Sequence, residues 1–185
     1  MIFDNIEANE QELASLSEDF GKIMTFGEHI KGTMLHKEDT VCNHLFIIQK
    51  GLARAFYYKD GQDITAHFAL EGTSITAIDS LIQRKRSRYN IEVLEDSSII
   101  SISKEDMDAL LKEKPQYEKH IRLYMEQIYI DLAERVEDLV FHSAKERYDK
   151  ILEKTPQLIQ RVNLKHIASY LGITQETLSR IRAMD

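Results

Sequence analysis

The chain has 185 residues, 43% of them hydrophobic, with two prolines and seven glycines, so it can bury a real core and is neither fibrous nor low-complexity. A net charge of −7 excludes sequence-blind coating of nucleic acid, which needs a basic surface overall. The single cysteine, Cys42, excludes an internal disulfide, a CxxC redox pair and an iron–sulfur cluster held by the cysteines of one chain.

The N-terminal stretch "MIFDNIEANEQELASL" is acidic and lacks the cationic and apolar regions of a signal peptide. No apolar run reaches the length of a bilayer-spanning helix, so the reading is a cytoplasmic protein with no membrane partner. Within the first twenty residues "NEQELASLSEDF" predicts a short helix with Leu13 and Leu16 on one side and Gly21 as its stop.

From about Phe26 to Ser103 the texture changes. Runs such as "HLFIIQ", "ARAFYY", "ITAHFAL", "YNIEVLE" and "SIISIS" are rich in β-branched and aromatic residues, and Gly32, Gly51, Asp60-Gly61 and Glu71-Gly72 punctuate them. Short strands at this spacing predict a compact barrel or sandwich. "YYKDGQDI" predicts a hairpin whose tight turn uses Asp60-Gly61. His29, His36, His44 and His67 form neither HxH nor HExxH, so no metal site or cofactor is expected, and nothing groups as a catalytic Ser/His/Asp or Cys/His set.

Beyond "SISKEDMDALLKEKPQ" the period becomes helical. Ile121, Met125, Ile128, Leu132, Val136 and Leu139 recur at spacings of four, three, four, four and three, one stripe of a long helix, and Tyr124, Tyr129 and Ile130 widen its apolar surface. Such a seam packs on its own domain, on its twin in a second chain, or on both. "SAKERYDKILEKTPQLIQR" predicts a further helix stopped at Thr155-Pro156.

The chain all but closes on "LKHIASYLGITQETLSRIRAM", Leu164 to Met184. Ile167, Leu171, Ile173, Leu178 and Ile181 are its apolar positions, Ala168 is small where two helices must approach, and Gly172 lies where the chain must turn. Asn163 and Thr174 are placed to cap the two helices. Between Arg161 and Arg182 four cations (Arg161, Lys165, Arg180, Arg182) stand against Glu176 alone, the opposite sign to the rest of the chain. This is the pattern of a helix-turn-helix. It assigns Gln175, Glu176 and Arg180 to base edges, and Lys165, Thr174, Thr177, Ser179 and Arg182 to phosphates. Two such helices also occur in ordinary helical cores.

The whole chain resembles the cyclic-AMP receptor protein and fumarate–nitrate reductase regulator (Crp/Fnr) superfamily of bacterial transcription factors. "QETLSR" at Gln175 to Arg180 is similar to the family's "RETVGR", with Glu176 and Arg180 matching its base-reading Glu and second Arg, and Gln175 replacing the first Arg. The resemblance implies an α+β fold: an N-terminal β-roll (a cyclic-nucleotide-binding-like jelly roll) with its leading helix over 1–115, a long dimerisation helix over 116–141, and a C-terminal helix-turn-helix over 142–185. It implies double-stranded DNA and a second copy of the chain as partners, with RNA polymerase a further candidate.

The sequence departs from the family in two places. Counted without gaps, the family's ribose-binding Glu falls at Ala77, beside Thr76, and its phosphate-binding Arg at Ser87. Arg88 or Arg86 substitutes only if the strand slips by one residue, which flips its faces. The purine-contacting helix positions fall at Leu132 and Ala133. Cyclic AMP is therefore not expected as a physiological ligand, and any effector is an unidentified small molecule. The family's two-stranded wing is also missing after the second helix: either this subgroup dispenses with it or the sequence in hand lacks it. The competing expectations are a ligand-binding or protein-interaction module with a vestigial helix-turn-helix and, last, an enzyme.

Overall fold

The computed structural model describes residues 10–183. The expected start of the first helix at Asn9, and Met184 and Asp185 at the end, lie outside them. The described residues divide into two compact units, 10–55 with 68–126, and 56–67 with 127–183.

The chain opens on α1 (Glu10–Ile23) and continues through β1 (Met24–His29), β2 (Met34–His36), β3 (His44–Lys50), β4 (Ala53–Lys59), β5 (Gln62–Ala69) and β6 (Ser74–Ile75). Helix α2 (Ile78–Gln83), β7 (Asn90–Val93), β8 (Ser97–Ser103) and α3 (Lys104–Glu113) follow. The strands form two four-stranded sheets in the orders β1-β8-β3-β6 and β2-β7-β4-β5. The pairs β1/β8, β2/β7, β3/β6 and β3/β8 are antiparallel. The result is a mixed fold of helices and antiparallel sheets.

The run "LFII" in β3 is continuous rather than alternating because both faces of the strand are covered. Phe46 and Ile48 point into a core with Ala53, Ala55, Ile75, Ile91, Val93 and Ile99, whereas Ile47 joins Leu16 and Phe20 of α1, Ile102, Leu110 and Tyr117 on the other side. Gly21 does not stop α1, as the sequence suggested. The helix runs on to Ile23, whose side chain packs against this second cluster, and that contact outweighs the modest helix penalty of one exposed glycine. Tyr117 donates to Asp19 at 2.9 Å and its ring lies 5.9 Å from that of Phe20, tilted by 52°, which ties α1 to the turn at Pro115–Tyr117. Burial raises the Tyr117 phenol pKa, and the Asp19 contact raises it further.

The expected turn between β4 and β5 forms at Asp60-Gly61. Both residues are left-handed, with φ of 52° and 74°, the geometry that suits a two-residue hairpin loop.

Helix α4 (Glu118–Phe141) is the long helix of the periodic stripe. After it come α5 (Ala144–Lys154), α6 (Pro156–Arg161), α7 (Leu164–Leu171) and α8 (Gln175–Arg182). "SAKE" is a capping box: Glu146 N donates to Ser143 Oγ at 3.3 Å while Ser143 N donates to Glu146 Oε2 at 2.7 Å. Thr155-Pro156 ends α5, and the proline then occupies the first position of α6, where its missing amide costs nothing. In the second unit Tyr148, Ile151, Leu158, Val162, Ile167, Ala168, Leu171, Leu178 and Ile181 are buried.

Candidate nucleic-acid interface

Helices α7 and α8 are each capped by the residue the sequence put forward. Asn163 Oδ1 accepts from Lys165 N at 2.9 Å and Thr174 Oγ1 from Thr177 N at 3.2 Å. Between them Gly172 adopts φ 69°, ψ 31°, the left-handed position at which a glycine carries no Cβ strain. Ile167, Ala168 and Leu171 of α7 are buried, as are Leu178 and Ile181 of α8.

Those buried positions leave the opposite side of α8 uncovered. Gln175, Glu176 and Arg180 are exposed, along with Lys165, Thr174, Ser179 and Arg182; Thr177 is half-buried. The Glu176 carboxyl is held below its ordinary pKa, first by its own backbone amide, then by the Thr174 side chain, with Arg180 adding a smaller share. It is thus an anion at the N-terminus of α8, where the helix dipole favours it.

Three residues outside this pair of helices, none of them foreseen from the sequence, hold it: Arg135, Arg147 and Thr65. Arg135 of α4 donates through Nη2 to Tyr170 O, and its guanidinium lies 3.8 Å from the Tyr170 ring centroid. Arg147 of α5 donates through Nε (3.1 Å) and Nη2 (2.8 Å) to Leu171 O. Ser169 Oγ accepts from Thr65 N, in the β4–β5 hairpin, at 2.6 Å. In sequence the two arginines sit among charged neighbours that read as a solvated face; only the third dimension brings them to α7.

The helical stripe splits in two. Ile121 and Met125 are half-buried and line an apolar cavity of about 220 Å³ with Phe20, Leu81, Ile102 and Met107. Ile128, Leu132, Val136 and Leu139 are 37%, 59%, 53% and 46% exposed. Tyr129 on the adjoining flank is 71% exposed.

At the positions that the ungapped count singled out, Thr76, Ala77 and Ser87 are engaged within the protein. Ala77 and Ser87 are 2% exposed. Ser87 N donates to Thr40 O (2.9 Å), Ser87 O accepts from Asp39 N (2.7 Å), and Ser87 Oγ accepts from Tyr89 N (2.9 Å). Thr76 Oγ1 donates to His44 O at 2.9 Å, and Ser80 Oγ accepts from Cys42 N at 2.9 Å. Arg88 is exposed with its guanidinium 5.5 Å from the Tyr89 ring centroid. Leu132 is exposed and Ala133 half-buried, and both belong to the second unit. A cleft of about 310 Å³ opens beside Leu35, His36, Thr40, Cys42, His44 and Phe46, where burial lowers the His36 pKa and favours its neutral form.

Among the described residues no group of three or more His, Cys, Asp or Glu side chains could hold a metal ion, and no helix is long and apolar enough to cross a membrane.

The family profile of the cyclic nucleotide-binding domain matches residues 28–114, the stretch that holds strands β2 to β8. Solved structures extend the likeness past that domain. The c-di-GMP-responsive global regulator CLP of Xanthomonas campestris superposes with a TM-score of 0.72 at 16% identity, covering 92% of this chain and 90% of its own. FixK2 of Bradyrhizobium japonicum gives 0.72 at 18% identity, with 88% and 84% covered. A protein of Eubacterium rectale assigned to the Crp/Fnr transcriptional regulators gives 0.69 at 18% identity, with 95% and 82% covered. At these identities the likeness establishes the fold alone, a mixed arrangement of helices and antiparallel sheets similar to that of these proteins. No curated protein sequence matches the chain.

Proposed function

We propose that the protein is a homodimeric, cytoplasmic transcription regulator of the Crp/Fnr type rather than an enzyme, that it reads DNA with α8, and that cyclic AMP is not its effector. The observation that carries the reading is the two-sidedness of α8. Leu178 and Ile181 are buried, while Arg180 in its last turn and Gln175 and Glu176 at its N-terminal end stay exposed. In a helix-turn-helix this end enters the major groove. Arg180 then bridges O6 and N7 of a guanine, Glu176 accepts from a cytosine N4, and Gln175 favours adenine. Lys165, Thr174, Thr177, Ser179 and Arg182 fix register on phosphates.

Self-association is supported by the uncovered part of the α4 stripe, since four aliphatic side chains in one line are more apolar surface than a helix leaves in water without a partner. A twofold dimer presents two copies of α8 to successive major grooves about 34 Å apart, so the operator is an imperfect palindrome. The reading on cyclic AMP rests on Ser87. The phosphate-binding Arg of the family would have to stand where a small buried hydroxyl already has its amide, carbonyl and side chain engaged. A phosphate brought there loses the charge-assisted pair with a cation and meets at most one neutral hydroxyl, whose oxygen already accepts from Tyr89 N.

The test is selection of genomic fragments on purified protein, followed by sequencing. Enrichment of an imperfect palindrome with half-sites about one helical turn apart supports the proposal. Recovery of fragments without a shared motif leaves a ligand-binding or protein-interaction module in which the helix pair is vestigial.

A further inference from the structure

The last four carbonyls of a helix have no partner inside it. In α7 two of them are taken by the turn that follows: Ile173 N donates to Ala168 O at 3.0 Å and Gly172 N to Ser169 O at 3.0 Å. The other two are taken from outside the pair. Tyr170 O accepts from Arg135 of α4, and Leu171 O accepts two bonds from Arg147 of α5. Arg147 reaches further, donating through Nη1 to His142 O at 2.5 Å, in the bend between α4 and α5. The final residues of α7 before the turn are therefore anchored to two other helices by planar, charged forks.

We infer that Arg135 and Arg147 are positioning residues for α8: by gripping the carbonyls of Tyr170 and Leu171 they fix the path into Gly172-Ile173-Thr174, and with it the angle at which Gln175, Glu176 and Arg180 are offered to DNA. The inference rests on the DNA-reading role proposed above. Two positive groups at the C-terminal end of a helix are favoured by its dipole. Their use here is nevertheless specific. The Arg135 plane stacks on the Tyr170 ring while its edge meets the backbone, and Arg147 spans two carbonyls at once. A lysine keeps the charge and loses the fork and the stacking. Both arginines are half-buried, so their donors point into the protein instead of toward a duplex. The pose of α8 is accordingly tied to α4 at Arg135 and to the α4–α5 bend at Arg147, and a rotation of α4 near Arg135 is passed directly to the reading helix.

The experiment compares wild type with Arg135→Lys and Arg147→Lys on two duplexes, the one recovered by genomic selection and a random sequence of equal length, across a salt series. Losing one charge-assisted contact that holds the pose lowers affinity for the selected duplex roughly ten- to hundred-fold. Affinity for the random duplex changes less, the salt slope stays that of the wild type, and thermal unfolding remains cooperative. Amide exchange at Gly172 and Ile173 rises in both variants while α5 keeps its protection. Unchanged affinity overturns the inference. So does a salt slope reduced by about one, which marks a direct phosphate contact, or a loss that tracks the unfolded fraction, which marks a purely structural role. If wild type binds neither duplex, the DNA-reading role itself falls. Exchange at Gly172 and Ile173 then decides the clamp alone, and wild-type protection in the lysine variants refutes it.

Discussion

Replacing Leu132 by alanine weakens self-association if the α4 stripe is the dimer seam. Leu132 is 59% exposed in the single chain. Burying a whole leucine side chain is worth about 1.5–3 kcal/mol, so covering its exposed part contributes about 1–2 kcal/mol per protomer and about 2–4 kcal/mol across a twofold interface. At about 1.4 kcal/mol per tenfold, the dissociation constant rises by roughly 30- to 1000-fold at most, since alanine retains the Cβ. Sedimentation over a wide concentration range reads this directly, against a protomer of 21.5 kDa. Glu137→Ala, on a side of α4 away from the stripe, is the control and leaves the constant unchanged. A wild type that sediments as a protomer at every concentration, or a Leu132→Ala protein that dimerises as tightly as wild type, refutes the reasoning.

Other changes probe the turn, the charge network and the domain's ligand. Gly172→Ala forces a Cβ into the left-handed region and costs about 1–2 kcal/mol. The nearest side-chain atom to that Cβ would be Leu139 Cδ2 at 3.8 Å, so strain rather than collision sets the loss. The thermal midpoint falls by several degrees, with Asn tolerated better than Ala; an unchanged midpoint contradicts the turn's role. Burial pushes the Asp138 pKa up, but hydrogen bonds from Lys150 (2.7 Å) and His142 (3.0 Å) outweigh it and hold the carboxyl below its ordinary value. A depressed folded pKa gives stability that is present above the unfolded value of about 4 and is lost as pH falls through the folded value. Unfolding midpoints measured downward from pH 5 therefore drop in wild type and drop less in Asp138→Asn; parallel curves refute the assignment. Calorimetric titration with cyclic AMP yields no binding in the micromolar range, and micromolar or tighter affinity overturns the reading of Ser87.

Local chemistry was legible in the sequence wherever one residue type had one physical job. The left-handed turns at Asp60-Gly61 and Gly172, the caps Asn163 and Thr174, and the break at Thr155-Pro156 all form where their side chains demand. The five hydrophobic runs became β3, β4, β5, β7 and β8 because period and β-branching carry the strand signal. The short strands β1, β2 and β6 were not foreseen, since two to six residues leave too few alternations to count. Helix α2 escaped for the same reason: six residues give less than two turns of period. Gly21 misled because its helix is extended by a tertiary contact, that of Ile23 with the cluster around Phe20. At the candidate site the exposed trio was readable from helical spacing, whereas Arg135 and Arg147 were not. Their partners are backbone carbonyls 35 and 24 residues away, which no side-chain pattern announces.

The most direct measurement is the affinity of Arg180→Ala against wild type on the selected duplex and on a random one. Removing a bidentate guanine contact costs about 1–3 kcal/mol at the selected site. Affinity there falls roughly 5- to 150-fold while binding to the random duplex changes little. Equal losses on both duplexes, or none on either, contradict a base-reading role for α8.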